Sequence, residues 1–407
     1  MIPRLKGTDD ILPPDSAKWR ILLRAFDDLS AKYGYDLALM PVLESTELFA
    51  RGVGAGTEVV EKQMYTFVDR GGRSVTLRPE FTAGIVRAYL ESGGNGVMKV
   101  AASGPQFRYE QPQKGRRRQF YQVDLEYLGE QGARADVEII EMSYELLVTV
   151  GVPGITVHLN SIGDAADRLA YRELLRDFLR SVAAELSADA RKRIEDNPLR
   201  VLDSKIDADI VASAPVPLDH LGSETAAHFA AVRAGLDEAG IPYEVAPRLV
   251  RGLDYYNRTV FELFSTAFEA AQSSLGGGGR YDPLGELIGA KHPVPAVGVA
   301  LGCDRIVAAM LAPAGPRLDL FVAVAAEARI VEAARWVRRL REAGHRVDWT
   351  GSAPSLKAQF KTADRSGARG VAVVGDEWDG GEVRVKDMTT GEETTVRIEE
   401  VGEWLHR

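Results

Sequence analysis

Two guanidiniums and two phenols crowd one short stretch of this 407-residue chain, RGLDYYNRTVFE at residues 251–262. Arg251 and Arg258 offer planar forks of donors that match phosphate and carboxylate. Tyr255 and Tyr256 can hold a polar ring through their hydroxyls. Gly252 and Asp254 break the chain just ahead of an alternating, strand-like run at 259–264. The same composition fits a hairpin turn with a solvated charged edge, and residue types alone leave both readings open.

A second polar string, FRYEQPQKGRRRQFYQ at 107–122, reads as two strands joined by a loop carrying Lys114, Arg116, Arg117 and Arg118. Period two puts Arg108 and Glu110 on one face of the first strand. It puts Gln122, Asp124 and Glu126 on one face of the second, with Val123, Leu125 and Tyr127 opposite. A sheet with one packed and one polar side suits a small zwitterionic ligand; a face turned to water is the plain alternative. LGGGGRYD at 275–282 lacks both the Walker ending and the GxGxxG spacing, so it is weak evidence for phosphate binding. It reads as a flexible turn or as a place of close backbone approach. AVGVALGCDRI at 296–306 reads as a small-residue strand turning into a helix that carries Arg305.

The elements that must position these groups follow from periodicity. Residues 17–33 have helical spacing, with Ile21, Leu22, Phe26 and Leu29 on one side. Strands are expected at 36–42, 75–77, 97–102, 106–110, 121–128 and 156–160. Pro79 is expected to open a helix through Leu90, and 136–149 is an amphipathic helix. From about 164 to 240 helix follows helix, interrupted by NPLRVLDSK, which reads as an insertion into a strand-rich core. APAGP at 312–316 is a linker by composition. Beyond it, strands at 319–324, 346–349 and 370–374 alternate with helices at 329–341 and 355–365. A hairpin closes the chain at 382–387 and 394–398. That alternation predicts a small α/β domain.

Hydrophobic content of 45% and charged content of 27% are those of ordinary globular proteins. No run reaches the ~18 apolar residues of a membrane helix, and the N-terminus carries charges and prolines where a signal peptide carries an apolar core. One cysteine, Cys303, and six scattered histidines give no metal-ligand spacing. A cytoplasmic chain without membrane or resident metal is expected. The net charge of −9 weighs against nucleic acid globally, but a basic patch acts locally.

Taken together, these strings resemble the histidyl-tRNA synthetases, and the resemblance spans nearly the whole chain. RGLDYYNRTVFE is similar to that family's histidine-specific signature. FRYEQPQKGRRRQFYQ resembles motif 2 of class II synthetases, and AVGVALGCDRI resembles motif 3. TLRPEFT (76–82) is similar to the family's TLRPEGT, residues 34–49 fit the degenerate motif 1, and SLKAQFKTADRSGAR (355–369) resembles the anticodon-binding domain. The resemblance implies an α+β fold: an antiparallel class II sheet flanked by helices. It places the catalytic core at 1–163 and 241–313, a helical insertion at 164–240, and an α/β anticodon-binding domain at 317–407.

The implied activity is ATP-dependent formation of histidyl-adenylate, then transfer to the terminal adenosine of tRNA(His), by a homodimer using Mg2+ on the ATP phosphates. Carried over residue by residue, Arg108 and Arg251 contact the α-phosphate and the substrate carboxylate and act catalytically. Arg116 and Arg305 hold the γ-phosphate, and Glu110 belongs to the ATP site. Glu80, Thr82 and Gln122 bind the histidine amino group, and Glu126, Tyr255, Tyr256 and Tyr281 form the rest of the histidine pocket. Arg117 and Arg118 are expected to meet tRNA. The chain departs from the family at Phe81, Gln111, Arg117 and Cys303-Asp304, none of which is among the residues assigned to the chemistry. A non-catalytic regulatory subunit of ATP phosphoribosyltransferase, built on the same fold, is the second reading. Such subunits generally lack the 251–262 string and the anticodon domain.

Overall fold

Trp19, Leu22, Phe26 and Leu29 recur at three- and four-residue spacing, and all four are buried along one side of the helix Ser16–Lys32. Ile21, expected on that side, is instead exposed. The computed structural model describes residues 2–54, 57, 59–111, 117–202, 204, 206–253, 255–268, 273–311 and 318–405. They form two compact units, Met1–Ala312 and Pro313–Arg407.

The first unit is built on an eight-stranded sheet. In spatial order its strands are Asp36–Leu37, Met98–Phe107, Gln119–Leu128, Ala296–Gly302, Ser274–Arg280, Asn257–Ser265, Ile155–Ser161 and Tyr243–Val245. The six central strands pair antiparallel throughout, and only the two short edge strands run parallel to their neighbours. The alternation in the central strands divides the sheet. Val123, Leu125, Val297, Val299, Phe261 and Leu263 turn to one face, where the helices Ser16–Lys32, Ala133–Thr149 and Ser223–Glu238 cover them. Gln122, Asp124 and Glu126 occupy the other side, and all three are buried.

Several expected elements shift for local reasons. The segment expected as one strand at 36–42 pairs only over Asp36–Leu37, and a separate three-stranded sheet takes Leu43–Ser45, Tyr65–Val68 and Ser74–Leu77. Pro79 does not open the next helix, which runs Thr82–Glu91. Glu80 instead accepts from the Ala83 N–H at 3.1 Å, serving an orphan donor of the first turn. The two strands expected at 97–102 and 106–110 are one strand ending at Phe107, so Arg108 and Glu110 lie just beyond it.

In the helical stretch, Tyr171, Leu175, Leu179, Ile194, Val201 and Val211 form a small core of their own. The last helix, Ser223–Glu238, packs Phe229, Val232 and Leu236 into the main core instead. The second unit carries a five-stranded sheet, in order Val347–Trp349, Leu318–Val324, Ala368–Val374, Glu382–Asp387 and Glu393–Arg397. Its first three strands are parallel and the last two antiparallel. The helices Ile330–Glu342 and Leu356–Ser366 alternate with the strands, as the sequence pattern predicts.

Candidate functional site

The glycine run, open between turn and close approach in the sequence, is neither flexible nor a turn. It is the sheet's strand Ser274–Arg280, flanked on both sides. A Cβ on Gly277 would stand 2.4 Å from the Phe261 carbonyl oxygen and 2.9 Å from Arg251 Nη1. Missing side chains here give Arg251 its place over the sheet. In the next strand, a Cβ on Gly298 would stand 1.6 Å from Glu126 Oε2. Both positions exclude a side chain because the space is already filled, by the Phe261 carbonyl and Arg251 at Gly277 and by Glu126 at Gly298.

Above this floor is a cavity of about 490 Å3, within the range of small-molecule sites. Glu80, Thr82, Arg108, Glu110, Gln122, Arg251, Tyr255, Tyr256, Tyr281 and Arg305 all contribute to its wall. These come from six separated parts of the chain, brought together by the sheet. Arg116 lies outside the described residues, as does Asp254.

The guanidiniums are held by identifiable partners. Arg251 Nη1 lies 3.3 Å from Glu262 Oε1. Burial works against its charge, but Tyr256 and Glu262 hold its pKa above the ordinary value. Glu262 also accepts from the Ser274 hydroxyl. Arg108 donates from Nε to the Pro79 carbonyl at 2.9 Å, with its guanidinium 5.2 Å from the Phe120 ring centre. Arg305 donates to the Ser274 carbonyl at 2.5 Å.

The acidic side of the site is buried. Glu126 accepts from Thr82 Oγ1 at 2.6 Å through one oxygen and from the Tyr281 hydroxyl through the other. It sits just behind the wall that those two residues form. Burial pushes its carboxyl up to about 8, against the pull of the two hydroxyls. Burial likewise raises Glu80, although the Ala83 N–H and Arg108 favour its charge. Tyr255 packs at a tilt against Tyr256 and edge-on against Tyr281, with ring centres 4.8 and 5.8 Å away. The Gln122 side-chain oxygen is buried with no hydrogen-bond partner among the described residues, which leaves an acceptor for an incoming donor.

Sequence reasoning missed four residues of this neighbourhood. Glu262 closes the 251–262 string without having been given a role there; period two along Asn257–Ser265 is the signal that could have found it. Asp124 sits between Gln122 and Glu126 in the same alternation. Burial, then the charges of Glu126 and Glu80, push its carboxyl well above the ordinary range. Arg78 donates to the carbonyls of Met40, Pro41 and Pro105 and lies 4.2 Å from the Phe81 ring centre. Phe81, one of the departures from the family pattern, is buried against Arg78 and does not contribute to the cavity wall. Arg280, fully buried, pairs with Asp136 at 2.5 Å and fixes the chain beside Tyr281.

Arg117 and Arg118 are not presented as bare loop charges. Arg118 lies 3.8 Å from the Tyr109 ring centre. Arg117 is paired with Asp304 at 2.5 Å and with Asp9 at 2.9 Å. The expected phosphate contact from Arg117 to tRNA competes with these two carboxylates.

Comparison with known proteins bears on this geometry. A family described as histidyl-tRNA synthetase matches residues 7–306, and one described as an anticodon binding domain matches 319–407. A histidine–tRNA ligase of Geobacillus kaustophilus is 44% identical over 419 residues, covering 100% of this chain and 97% of that one. The structure of apo S. aureus histidyl-tRNA synthetase superposes with a TM-score of 0.78 at 35% identity, covering 100% of both chains. A Bacillus halodurans structure described as an ATP phosphoribosyltransferase regulatory subunit/histidyl-tRNA synthetase shares the fold at 22% identity. Its TM-score is 0.64, over 90% of this chain and 96% of that one.

Proposed function

The chain belongs to the histidyl-tRNA synthetase family, and from that premise we propose how its cavity divides the work of the reaction. Its activity is ATP-dependent ligation of histidine to tRNA. Histidine and ATP give histidyl-adenylate and pyrophosphate; the ribose hydroxyl of the terminal adenosine of tRNA(His) then attacks the histidyl carbonyl, forming the ester and releasing AMP and a proton.

Arg251 and Arg108 bring the histidine carboxylate to the α-phosphate. Two anions must meet there, and fixed guanidiniums relieve their repulsion and stabilise charge developing at phosphorus. Arg305 and Arg116 hold the γ-phosphate, and Glu110 belongs to the ATP site. ATP arrives as its Mg2+ complex, and the metal is assigned to the substrate. No group of three or more His, Cys, Asp or Glu able to hold an ion occurs among the described residues.

Glu80 and Gln122 receive the α-ammonium. Glu126, with Tyr255, Tyr256 and Tyr281, reads the imidazole; Thr82, expected at the amino group, donates its hydroxyl to Glu126 and so orients that carboxyl. The observation that carries this reading is the buried Glu126 carboxyl fixed by two hydroxyls, in a cavity that four arginines, Arg108, Arg117, Arg251 and Arg305, also line. A site of paired hydrogen-bonding groups rejects side chains lacking them by ~10⁴–10⁵.

The motif 2 loop, with Arg118 at its base, faces the acceptor end of tRNA, and the 319–407 domain reads the anticodon. Family membership and the antiparallel sheet support a class II core. Exposed Leu37, Leu39, Leu43, Phe67 and Val68, on and around the small sheet, support a homodimer formed there. No helix among the described residues is long and apolar enough to cross a membrane, and we place the enzyme with its tRNA in the cytoplasm. The test is attachment of labelled histidine to tRNA(His). Intact tRNA should be charged and tRNA with an oxidised terminal ribose should not; charging of neither would overturn the assignment.

A further inference from the structure

Three separate parts of the chain meet at one guanidinium. Arg117, at the end of the motif 2 loop, places Nη1 2.5 Å from Asp304 Oδ1 and Nε 2.9 Å from Asp9 Oδ2. The other oxygen of Asp304 accepts from the Tyr121 N–H at 3.0 Å. Asp9 is also paired with Arg4 at 2.8 Å. The N-terminal segment is stitched to the same strand by its backbone, because the Gly7 carbonyl accepts from the Arg118 N–H at 2.7 Å.

Asp304 lies in the first turn of the helix Cys303–Ala309 and immediately precedes Arg305. Its side chain is 10% exposed, unlike that of a surface ion pair. Burial raises its carboxyl pKa, and the Tyr121 N–H and Arg117 pull the other way. With both oxygens engaged, Asp304 ties this helical turn to the hairpin strand Gln119–Leu128. Without Arg117, half of that tie is gone and a largely buried carboxylate is left under-paired, which drives it toward water. Arg305 moves with the turn. A displacement of about 1 Å in a positioning group is enough to cost a large factor in rate.

We propose that Arg117 is a positioning residue for ATP. Through Asp304 it fixes the turn carrying Arg305, and the N-terminal segment holds Arg117 in place through Asp9. Two residues that depart from the family pattern, Arg117 and Asp304, are thereby each other's partners. The proposal rests on the reading that Arg305 contacts the triphosphate.

The test uses the full-length enzyme in histidine-dependent ATP–pyrophosphate exchange, with Arg117→Ala, Arg117→Lys, Asp304→Asn and the double variant R117A/D304N. Arg117→Ala should raise KM for ATP by about 5–30-fold, while KM for histidine stays within about twofold. Arg117→Lys should recover most of the deficit. The double variant should be no worse than the poorer single one, since the two act as one unit. The salt dependence of tRNA affinity should not change. An unchanged KM for ATP, with a tRNA salt slope flatter by about one unit, would overturn the proposal in favour of a phosphate contact. Equal impairment for ATP and histidine with a lowered Tm would overturn it too, reducing Arg117 to a general structural role. The parent enzyme is the control. If it shows no exchange, the functional reading itself fails; if it exchanges and the variants match it, only this proposal fails.

Discussion

Replacing Glu126 by glutamine should cost the enzyme its histidine while making the empty protein more stable in alkali. The substitution preserves shape but removes the group that accepts from both Thr82 and Tyr281. In the complex the Glu126 proton is shared with the imidazole, a charge-assisted hydrogen bond of about 1.5–3 kcal/mol that glutamine cannot form, so histidine affinity at pH 7 should fall by about 10–150-fold. ATP affinity should stay near that of the parent.

The pH dependence follows from the raised carboxyl. In the empty site Glu126 titrates at about 8 against an ordinary 4.5. At pH 7 it therefore carries a proton, and an entering neutral imidazole shares it. Parent affinity should drop as pH rises beyond 8, and the Glu126→Gln variant should lack that alkaline limb.

For stability the sign is fixed by linkage. The folded state binds more protons than the unfolded state between pH 4.5 and 8, so stability falls as pH rises through that window. The full cost above pH 8 is on the order of 5 kcal/mol. Subtracting about 1–2 kcal/mol for one hydroxyl hydrogen bond that glutamine cannot accept, Glu126→Gln should be more stable than the parent at pH 9 and no more stable at pH 5. Titration calorimetry and thermal melts across that range read both effects. Equal histidine affinity in the two proteins, or an alkaline limb that survives the substitution, would show that Glu126 does not share its proton with the imidazole.

Other outcomes are as definite. Arg251→Ala should slow adenylate formation by about 10²–10³, measured before steady state, with a much smaller change in histidine affinity. Gly298→Ala places a methyl against Glu126 Oε2 and should abolish histidine binding, with a lower Tm than the parent by melting. Asp136→Asn removes the closer of the two carboxylates on buried Arg280, leaving Asp282 at 3.2 Å, and should cost about 3 kcal/mol of stability in denaturant titration. The unit Met1–Ala312, made alone, should keep histidine-dependent exchange. It should charge tRNA about 10²-fold less well or worse in a filter assay, having given up its second point of attachment.

One side of this cavity was legible because Gln122, Asp124 and Glu126 lie on a single regular strand. Period two was enough to put Gln122, Asp124 and Glu126 on one face, and the sheet does so. The small α/β domain was equally plain, since its strands and helices alternate cleanly. What local pattern could not supply was the partner across the sheet. The glycine run looked like a turn in isolation. It is a strand because Phe261 and Gly298 backbone atoms crowd it from both sides, a fact that belongs to neighbours far off in sequence. Arg117 looked like a loop charge for the same reason: its partners, Asp9 and Asp304, are 108 and 187 residues away. Glu80 was expected inside a helix opened by Pro79; it lies before the helix because its carboxylate serves the Ala83 N–H. The family resemblance named roles for single residues. It did not say that Phe81 packs under Arg78, away from the cavity.

The central claim is that this cavity activates histidine and no other amino acid. Pyrophosphate exchange measured with each of the twenty amino acids in turn tests it most directly. Histidine alone should support exchange, with every other amino acid at least about 10⁴-fold weaker. Exchange driven by a different amino acid, or no exchange with any of them, would contradict it.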